Sequence, residues 1–565
     1  QRCCDAARDF STFASRIANL KHLRVAPKMV LLAYCCRPSA KLNHFARIVR
    51  PELSSDAASI ADAGFATALA LATKTPSHFL MAGSDGLHVE QILNKTSYGG
   101  SGCISISRVL AACYLGSFCD AAAYFPAFAT SVPAIVHTFA SPDLWASCPS
   151  PAFGSAASAY RQIIATETFA DLAILPSEKA LFARLTGTSS AATPTATSAS
   201  SPTAASPTPQ PQMACLITLG GMHAQRAFSH VLLRQQYFDV VASATVDVGL
   251  RCRFRQAAVT GAGRFQTCID DGTGFLRLTN DDYLINWWLR YGLPQPHLKG
   301  RRCADSCRQF GLGSVALAPV FTSGVHSVSC DSCDNAGWRL HQALVTECER
   351  FCCEELGGSA SRSGIACHAD DDGMVDTMIT QPSRFCGTGG VDVTVVNTLA
   401  PSHCTTAAGA DASHPLRAAE EEKLRRHSDQ SSRAGHDYFT AVFTSLGGIH
   451  GSFFTDLVLP HFKEETARAK ASGEDTWAIV RRKQRLLDRW SVVVARYNAV
   501  AIRAVGAGFG RTRRDTGPHK ASSTSTHTSH DLSSDDGDEV KENRPRNEGG
   551  GRLARSRAAA ASDSH

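Results

Sequence analysis

The chain has 565 residues, of which 44% are hydrophobic and 19% charged, and a net charge of +6. This excludes a single small domain and fits about three or four soluble domains with disordered additions. The positive charge permits a polyanionic partner without requiring one.

The 21 cysteines are dispersed, and some are adjacent, as at Cys3-Cys4, Cys35-Cys36 and Cys352-Cys353. No basic region followed by an apolar run opens the chain, so the cysteines read as reduced intracellular thiols. A start at Gln1 suggests a piece of a longer product. Residues 1–185 read as helical, with Ala- and Leu-rich segments such as "APKMVLLAYCC" and "ADAGFATALALATK" between turn signals. The most apolar stretch, 109–140, carries Asp120, Pro126 and Pro133 and suits buried helices better than a membrane span. Residues 186–212 are small, polar and Pro-rich and cannot repay their ordering entropy, which predicts a disordered linker. Helical patterning resumes over 213–302 and ends in "DDYLINWWLRYGLP", a packed helix stopped by Gly-Leu-Pro.

Next, "RRCADSCRQFGLGSVALAPVFTSGVHSVSC" supplies Cys303, Cys307, His326 and Cys330 as Cys-x3-Cys-x18-His-x3-Cys. Three thiolates and an imidazole can hold one structural zinc tetrahedrally; ordinary buried cysteines are the alternative, and Cys333 is a competing ligand. A helix-strand-strand-helix region runs on to about residue 460, then an amphipathic helix with "RRKQRLLDRWSVVVARYNAVAIRAV", then a polar tail over 511–565.

Within that region, "GGVDVTVVNTLAPS" (389–402) reads as a buried strand bounded by Gly-Gly and Ala-Pro-Ser that nevertheless contains Asp392. A buried carboxylate needs a cation, a basic partner or an open cleft; an exposed strand edge is the simpler reading. Asp376, in "DGMVDTMI", could meet it from a neighbouring strand, and two such hard oxygen donors suit Mg²⁺.

Taken in order, these segments resemble the C-terminal part of non-LTR retrotransposon polyproteins of the restriction-like-endonuclease type. "LLAYCCRPSAKLNHFARIVRPEL" is similar to their post-palm helices through Asn43, Phe45, Arg47 and Pro51, and "SYGGSGCISISRVLAACYLGSF" to a later segment. The Cys303/Cys307/His326/Cys330 set resembles their zinc knuckle, and "GWRLHQALVTECERFCCEELG" the helix before the nuclease strands.

The fold class expected is therefore multidomain α with α/β. A reverse-transcriptase thumb-like region (1–185), the linker (186–212), a helical connector (213–302) and a zinc knuckle (303–333) precede a restriction-endonuclease-like PD-(D/E)XK domain (334–510) and a disordered tail (511–565). The resemblance implies that Asp376 and Asp392 are magnesium or manganese ligands and that Lys423, in "RAAEEEKLRRH", is the catalytic lysine moved from strand to helix. By residue type alone, Lys423 beside Glu420, Glu421 and Glu422 reads as a solvated helix face. Glu347, Glu354 and Glu355 include a candidate third acid.

The implied activity is metal-dependent nicking of target DNA, coupled in a longer parent to target-primed reverse transcription from retroelement RNA, in a nuclear setting without membrane attachment. A catalytically inactive zinc-containing nucleic-acid binder and a decayed reading frame are the alternatives. Arg47, Arg50, Arg301 and Arg302 are candidate phosphate contacts.

The sequence departs from the family pattern at Val375, where the family has Pro, and at Thr394, where Asp-x-Lys would place the lysine. The first zinc pair has three intervening residues where two are usual, and His-x3-Cys is shorter than His-x4-Cys. The acid pairs Asp270-Asp271, Asp281-Asp282 and Asp370 to Asp372 read as sitting in polar or Gly-rich loops, so a polymerase palm is expected upstream of Gln1 and not in this chain. No Walker loop or Gly-x-Ser-x-Gly elbow is present.

Overall fold

Alanine sets the spacing of the first helices. The structure is a computed structural model that describes residues 1–35, 41–76, 87–124, 150–166, 221–244, 247–268, 273–299, 323–330, 336–362, 375–380, 388–400, 402–433 and 435–506. Helix α1 (Arg2–Ala18) lies along α4 (Pro51–Thr73), with Ala7 and Ala14 on one side and Ala57, Ala58 and Ala61 on the other all buried. The two helices approach so closely at Gly64 that an added Cβ would lie 2.1 Å from the Ser11 hydroxyl. Between and after them come α2 (Val25–Cys35), α3 (Lys41–Ile48), α5 (Leu87–Ile92), α6 (Ile106–Tyr124), α7 (Pro151–Ile164), α8 (Gly221–Ser243) and α9 (Val248–Ala257). Pro51 stands at the first turn of α4, where its missing N–H costs nothing.

The expected packed helix is α10 (Asn280–Tyr291). Thr279 caps its N-terminus, and Gly292, at a φ of 69°, ends it in the left-handed conformation that glycine tolerates. Asp281 and Asp282 therefore lie in its first turn instead of a loop, and Arg503 pairs with Asp282 at 2.5 Å. Buried Tyr283, Trp287 and Tyr291 join α10 to the N-terminal helices and to Val492 and Ala495 of the last helix.

The second half is built around one small mixed sheet. Helix α11 (Ala336–Glu354) leads into strands β1 (Ser359–Ser361), β2 (Thr377–Thr380) and β3 (Thr388–Val396). Short α12 (Thr406–Ala410) and long α13 (His414–Arg433) follow, then β4 (Asp437–Thr444) and β5 (Ile449–His450). A π-helical turn (Phe453–Val458) leads to α14 (Leu459–Ser472) and α15 (Trp477–Gly506).

The strands lie in chain order, all antiparallel except β3 beside β4, whose parallel pairing requires the crossover that α13 supplies. Five strands stand where the sequence suggested two. The extra ones are the short β1 and β5 and the "DYFTAVFT" strand, whose partner is separated from it by a charged helix.

The alternation of β3 assigns its two faces. Val391 and Val393 pack with Leu344, Phe351, Phe443 and Trp490 beneath α11 and α15, whereas Val396 and Val442 meet Leu416 of α13 on the opposite face. Gly389 and Gly390 do not bound the strand, as the sequence suggested, but lie within it. A Cβ on Gly390 would come within 3.0 Å of Val375, so the bare backbone is what admits that side chain.

The described residues belong to one compact unit, mostly helical with this mixed sheet. No helix among them is long and apolar enough to cross a membrane. The linker at 186–212, the tail at 511–565, and Arg301, Arg302, Cys303 and Cys307 lie outside the described residues.

Candidate active site

Asp392 sits in the middle of the central strand with only 3% of its surface exposed, so the exposed-edge reading is overturned. It belongs to the β3 face that α13 covers. Running the β2–β3 register one residue back from the Thr377–Val391 pair sets Asp376 opposite Asp392. The two acids expected on neighbouring strands do converge.

Helix α13 presents Leu416, Glu420, Lys423 and His427 to this face, at spacings of four, three and four residues that keep them on one side of a helix. Lys423 Nζ donates to Asp392 Oδ1 at 3.0 Å, and the Tyr438 hydroxyl, from β4, donates to Oδ2 at 2.9 Å. His427 Nε2 lies 4.0 Å from the same Oδ2. The solvated-face reading of Lys423 therefore fails for that residue. It describes Glu422 instead, which pairs outward with Arg425 and Arg426.

Asp376 is held from the other side. Its Oδ2 accepts the Val393 N–H at 2.7 Å and faces His341 Nε2 of α11 at 3.0 Å. The same His341 nitrogen lies 3.0 Å from the Val393 carbonyl oxygen. Because that oxygen can only accept, Nε2 carries the proton.

Burial pushes the Asp392 carboxyl above the ordinary carboxylate value, and the neighbouring Asp376 charge adds to this, against the opposing pull of Lys423 and Tyr438. Burial also pushes Asp376 up, but His341 and the Val393 N–H outweigh it and hold that carboxyl below the ordinary value. The hydrogen bond to Asp376 raises His341 above its usual value despite its burial. Two carboxyls side by side are thus driven apart in acidity, which is common where charge chemistry is done.

The donor set fits a hard cation: two carboxylates with the Val393 carbonyl beside one of them. No three His, Cys, Asp or Glu side chains among the described residues form an ion-holding group on their own. Magnesium is commonly held by only one or two carboxylates, with waters and substrate phosphates completing its shell.

Glu347, Glu354 and Glu355 do not supply the expected third acid. They line a cleft of about 300 Å³ between α11 and α15, where Arg350 and Arg489 bracket buried Glu347 and Arg482 pairs with Glu355. Arg47 donates to Gln225, and Arg50 precedes α4 as its N-cap. His326 is buried before a short turn that ends at half-buried Cys330.

His341, Tyr438 and His427 were not singled out from sequence. The available signal was the match of Tyr438 to the even-numbered face that also holds Thr440, which becomes visible only once β4 is aligned in parallel with β3.

No protein-family model matches this chain, and no curated protein matches it.

Proposed function

We propose that the β2–β3–β4 centre is a divalent-cation-dependent phosphodiesterase, and more narrowly a DNA endonuclease of the restriction-like PD-(D/E)XK kind. The observation that carries the reading is the ion pair from Lys423 to buried Asp392, with Asp376 opposite in register. In this reading Asp376 and Asp392 would hold Mg²⁺ or Mn²⁺, which supplies charge neutralisation and an activated water. Lys423 does what the strand lysine of Asp-x-Lys would do, because Thr394 cannot: its ammonium orients the water and offsets charge on the phosphate. Tyr438 and His341 keep the two carboxylates from rotating. The open side of α13, with Arg425 and Arg426, offers phosphate contacts whose strength would fall as salt rises.

The order of segments in the sequence supports a parent of the non-LTR retrotransposon type, in which nicking of target DNA primes copying of retroelement RNA by a polymerase domain outside this chain. Cys303, Cys307, His326 and Cys330 would hold a structural zinc there.

The test is nicking of supercoiled plasmid by the purified chain with Mg²⁺ or Mn²⁺, beside Asp392→Ala. We expect cleavage that chelator and the substitution each abolish. Folded protein that binds plasmid but nicks no faster than the variant overturns the enzyme reading in favour of a nucleic-acid-binding remnant.

A further inference from the structure

We propose that Cys252 and Cys404 form a peroxide-reactive dithiol, a modification site at which hydrogen peroxide joins helix α9 to the turn between β3 and α12 through a reversible disulfide. The inference goes beyond the phosphodiesterase reading and does not depend on it.

The fold sets one thiol against the other. Asp247 caps the start of α9 by accepting the Leu250 N–H, and Gln256 near its far end donates to the Ala412 carbonyl beyond α12 at 2.6 Å. Between these two anchors lies fully buried Cys252, its sulfur 3.6 Å from the carbonyl oxygen of Thr405, 153 residues further along the chain. Helix α12 lies beside it, close enough that a Cβ on Gly409 would stand 3.9 Å from that sulfur. Cys404 immediately precedes Thr405, in a turn where the His403 and Cys404 N–H groups both return to the Ala400 carbonyl. Its own sulfur is 3.5 Å from the Leu399 carbonyl oxygen, and its thiol interacts directly with that of Cys252. Neither cysteine is in a disulfide.

The two thiols differ in the way this chemistry requires. Cys404 is partly exposed, whereas Cys252 is sealed. The hydrogen bond from Cys252 draws the Cys404 thiol below its ordinary value despite partial burial, with the Arg253 guanidinium assisting and the Asp247 charge opposing. The same hydrogen bond, together with burial, pushes the Cys252 thiol up. Cys404 is therefore the thiolate that meets an oxidant, and Cys252 keeps its proton until the second step. An accessible thiolate beside a resolving thiol is the arrangement of a redox-sensing pair. Cys348 and Cys352, one turn apart on α11, make the contrast: both are buried and burial pushes both thiols up, so neither is an accessible thiolate.

In the proposed sequence the Cys404 thiolate attacks one peroxide oxygen and the O–O bond breaks. The departing hydroxide takes back the proton that Cys404 gave up and leaves as water, so the sulfur is oxidised to a sulfenic acid as the peroxide is reduced. The Cys252 sulfur then attacks the Cys404 sulfur, the S–O bond breaks, and the oxygen leaves as a second water with the Cys252 proton. A dithiol such as dithiothreitol returns both cysteines to thiols and becomes a disulfide itself.

The reduced full chain is exposed to hydrogen peroxide, folded and in urea, quenched with N-ethylmaleimide and mapped by mass spectrometry of its non-reduced peptides, beside Cys252→Ser and Cys404→Ser. For the folded chain we expect the Cys252 and Cys404 peptides joined, lighter by two hydrogens and separated by dithiothreitol. Cys404 should lose its maleimide label at least about tenfold faster than exposed Cys353. In Cys252→Ser the oxidation should stop at a Cys404 sulfenic acid that dimedone captures, and in Cys404→Ser the Cys252 thiol should stay reduced. Links that favour other cysteines, Cys404 consumed no faster than Cys353, or the same link formed as readily in urea each overturn the proposal. The wild-type map decides it even where a variant fails to fold, and no metal or nucleic acid is present, so plasmid nicking has no bearing on the result.

Discussion

The two faces of β3 are made for different ends. Under α11 and α15, Val391 and Val393 are closed in by Phe443, Trp490 and Phe351, with rings packed edge to face. Under α13, the same strand presents Asp392 to a lysine, a tyrosine and a histidine, and further along that face Glu420 of α13 faces His450 of β5, two strands from β3. An acid can be tolerated in the middle of a sheet when the opposite face is well packed, because the cost of its burial is set against a core that does not depend on it. One face is closed by apolar packing, and the other gathers the charged and polar groups.

That division is broken most directly by removing a ring from the dry face. Phe443→Ala should lose about 3–5 kcal/mol of stability, read as a lower urea midpoint, because Phe443 is fully buried. A loss under 1 kcal/mol would mean that the apolar face is not the main support.

The two acids sharpen the contrast, because their acidities are displaced in opposite directions. Asp392 is raised, so its contribution falls as pH rises from the ordinary carboxylate value through the folded one, and above that its charge is a burden. Asp376 is lowered, so its contribution is present above the ordinary value and is lost as pH falls through the folded one. At pH 7 and without added metal, Asp376→Asn should therefore unfold at lower urea than wild type, whereas Asp392→Asn should unfold no earlier. Equal destabilisation by both would contradict the difference in their surroundings.

The smallest stability effect is expected at Tyr438. Tyr438→Phe removes one hydroxyl and one hydrogen bond to Asp392, worth about 1 kcal/mol. Its larger consequence should be for cation affinity, weaker by about tenfold, because ligand carboxylates depend on the groups that orient them. Unchanged Mn²⁺ affinity would show that the hydroxyl only fills space.

Helix α13 shows how much of this was legible in the sequence. The β-branched run of β3 announced a buried strand, and the cost of burying a carboxylate made Asp392 stand out. Asp376 followed as an acid at the start of a short neighbouring strand. Lys423 could not be separated from its neighbours by composition, because "EEEKLRR" reads equally as a solvated face. The helix in fact divides that run: Glu422, Arg425 and Arg426 face outward, and Glu420 and Lys423 face inward. Which side is which depends on β4, from a later part of the chain.

Distance along the chain explains the other omissions. His341 reaches Asp376 across 35 residues, Tyr438 reaches Asp392 across 46, and Glu420 meets Thr440 only after the parallel crossover is made. The paired glycines misled for a local reason. Gly-Gly is a common stop signal, but here Val375 and Phe439 pack against the bare backbone, so the strand continues through both.

We propose that Asp376 and Asp392 together form one cation site. Its most direct measurement is Mn²⁺ binding followed by the loss of the free-ion electron paramagnetic resonance signal, in wild type, Asp376→Asn and Asp392→Asn. One Mn²⁺ bound per wild-type chain, and at least tenfold weaker binding in each variant, is the predicted result. Equal Mn²⁺ uptake by all three, or none by folded wild type, would contradict it.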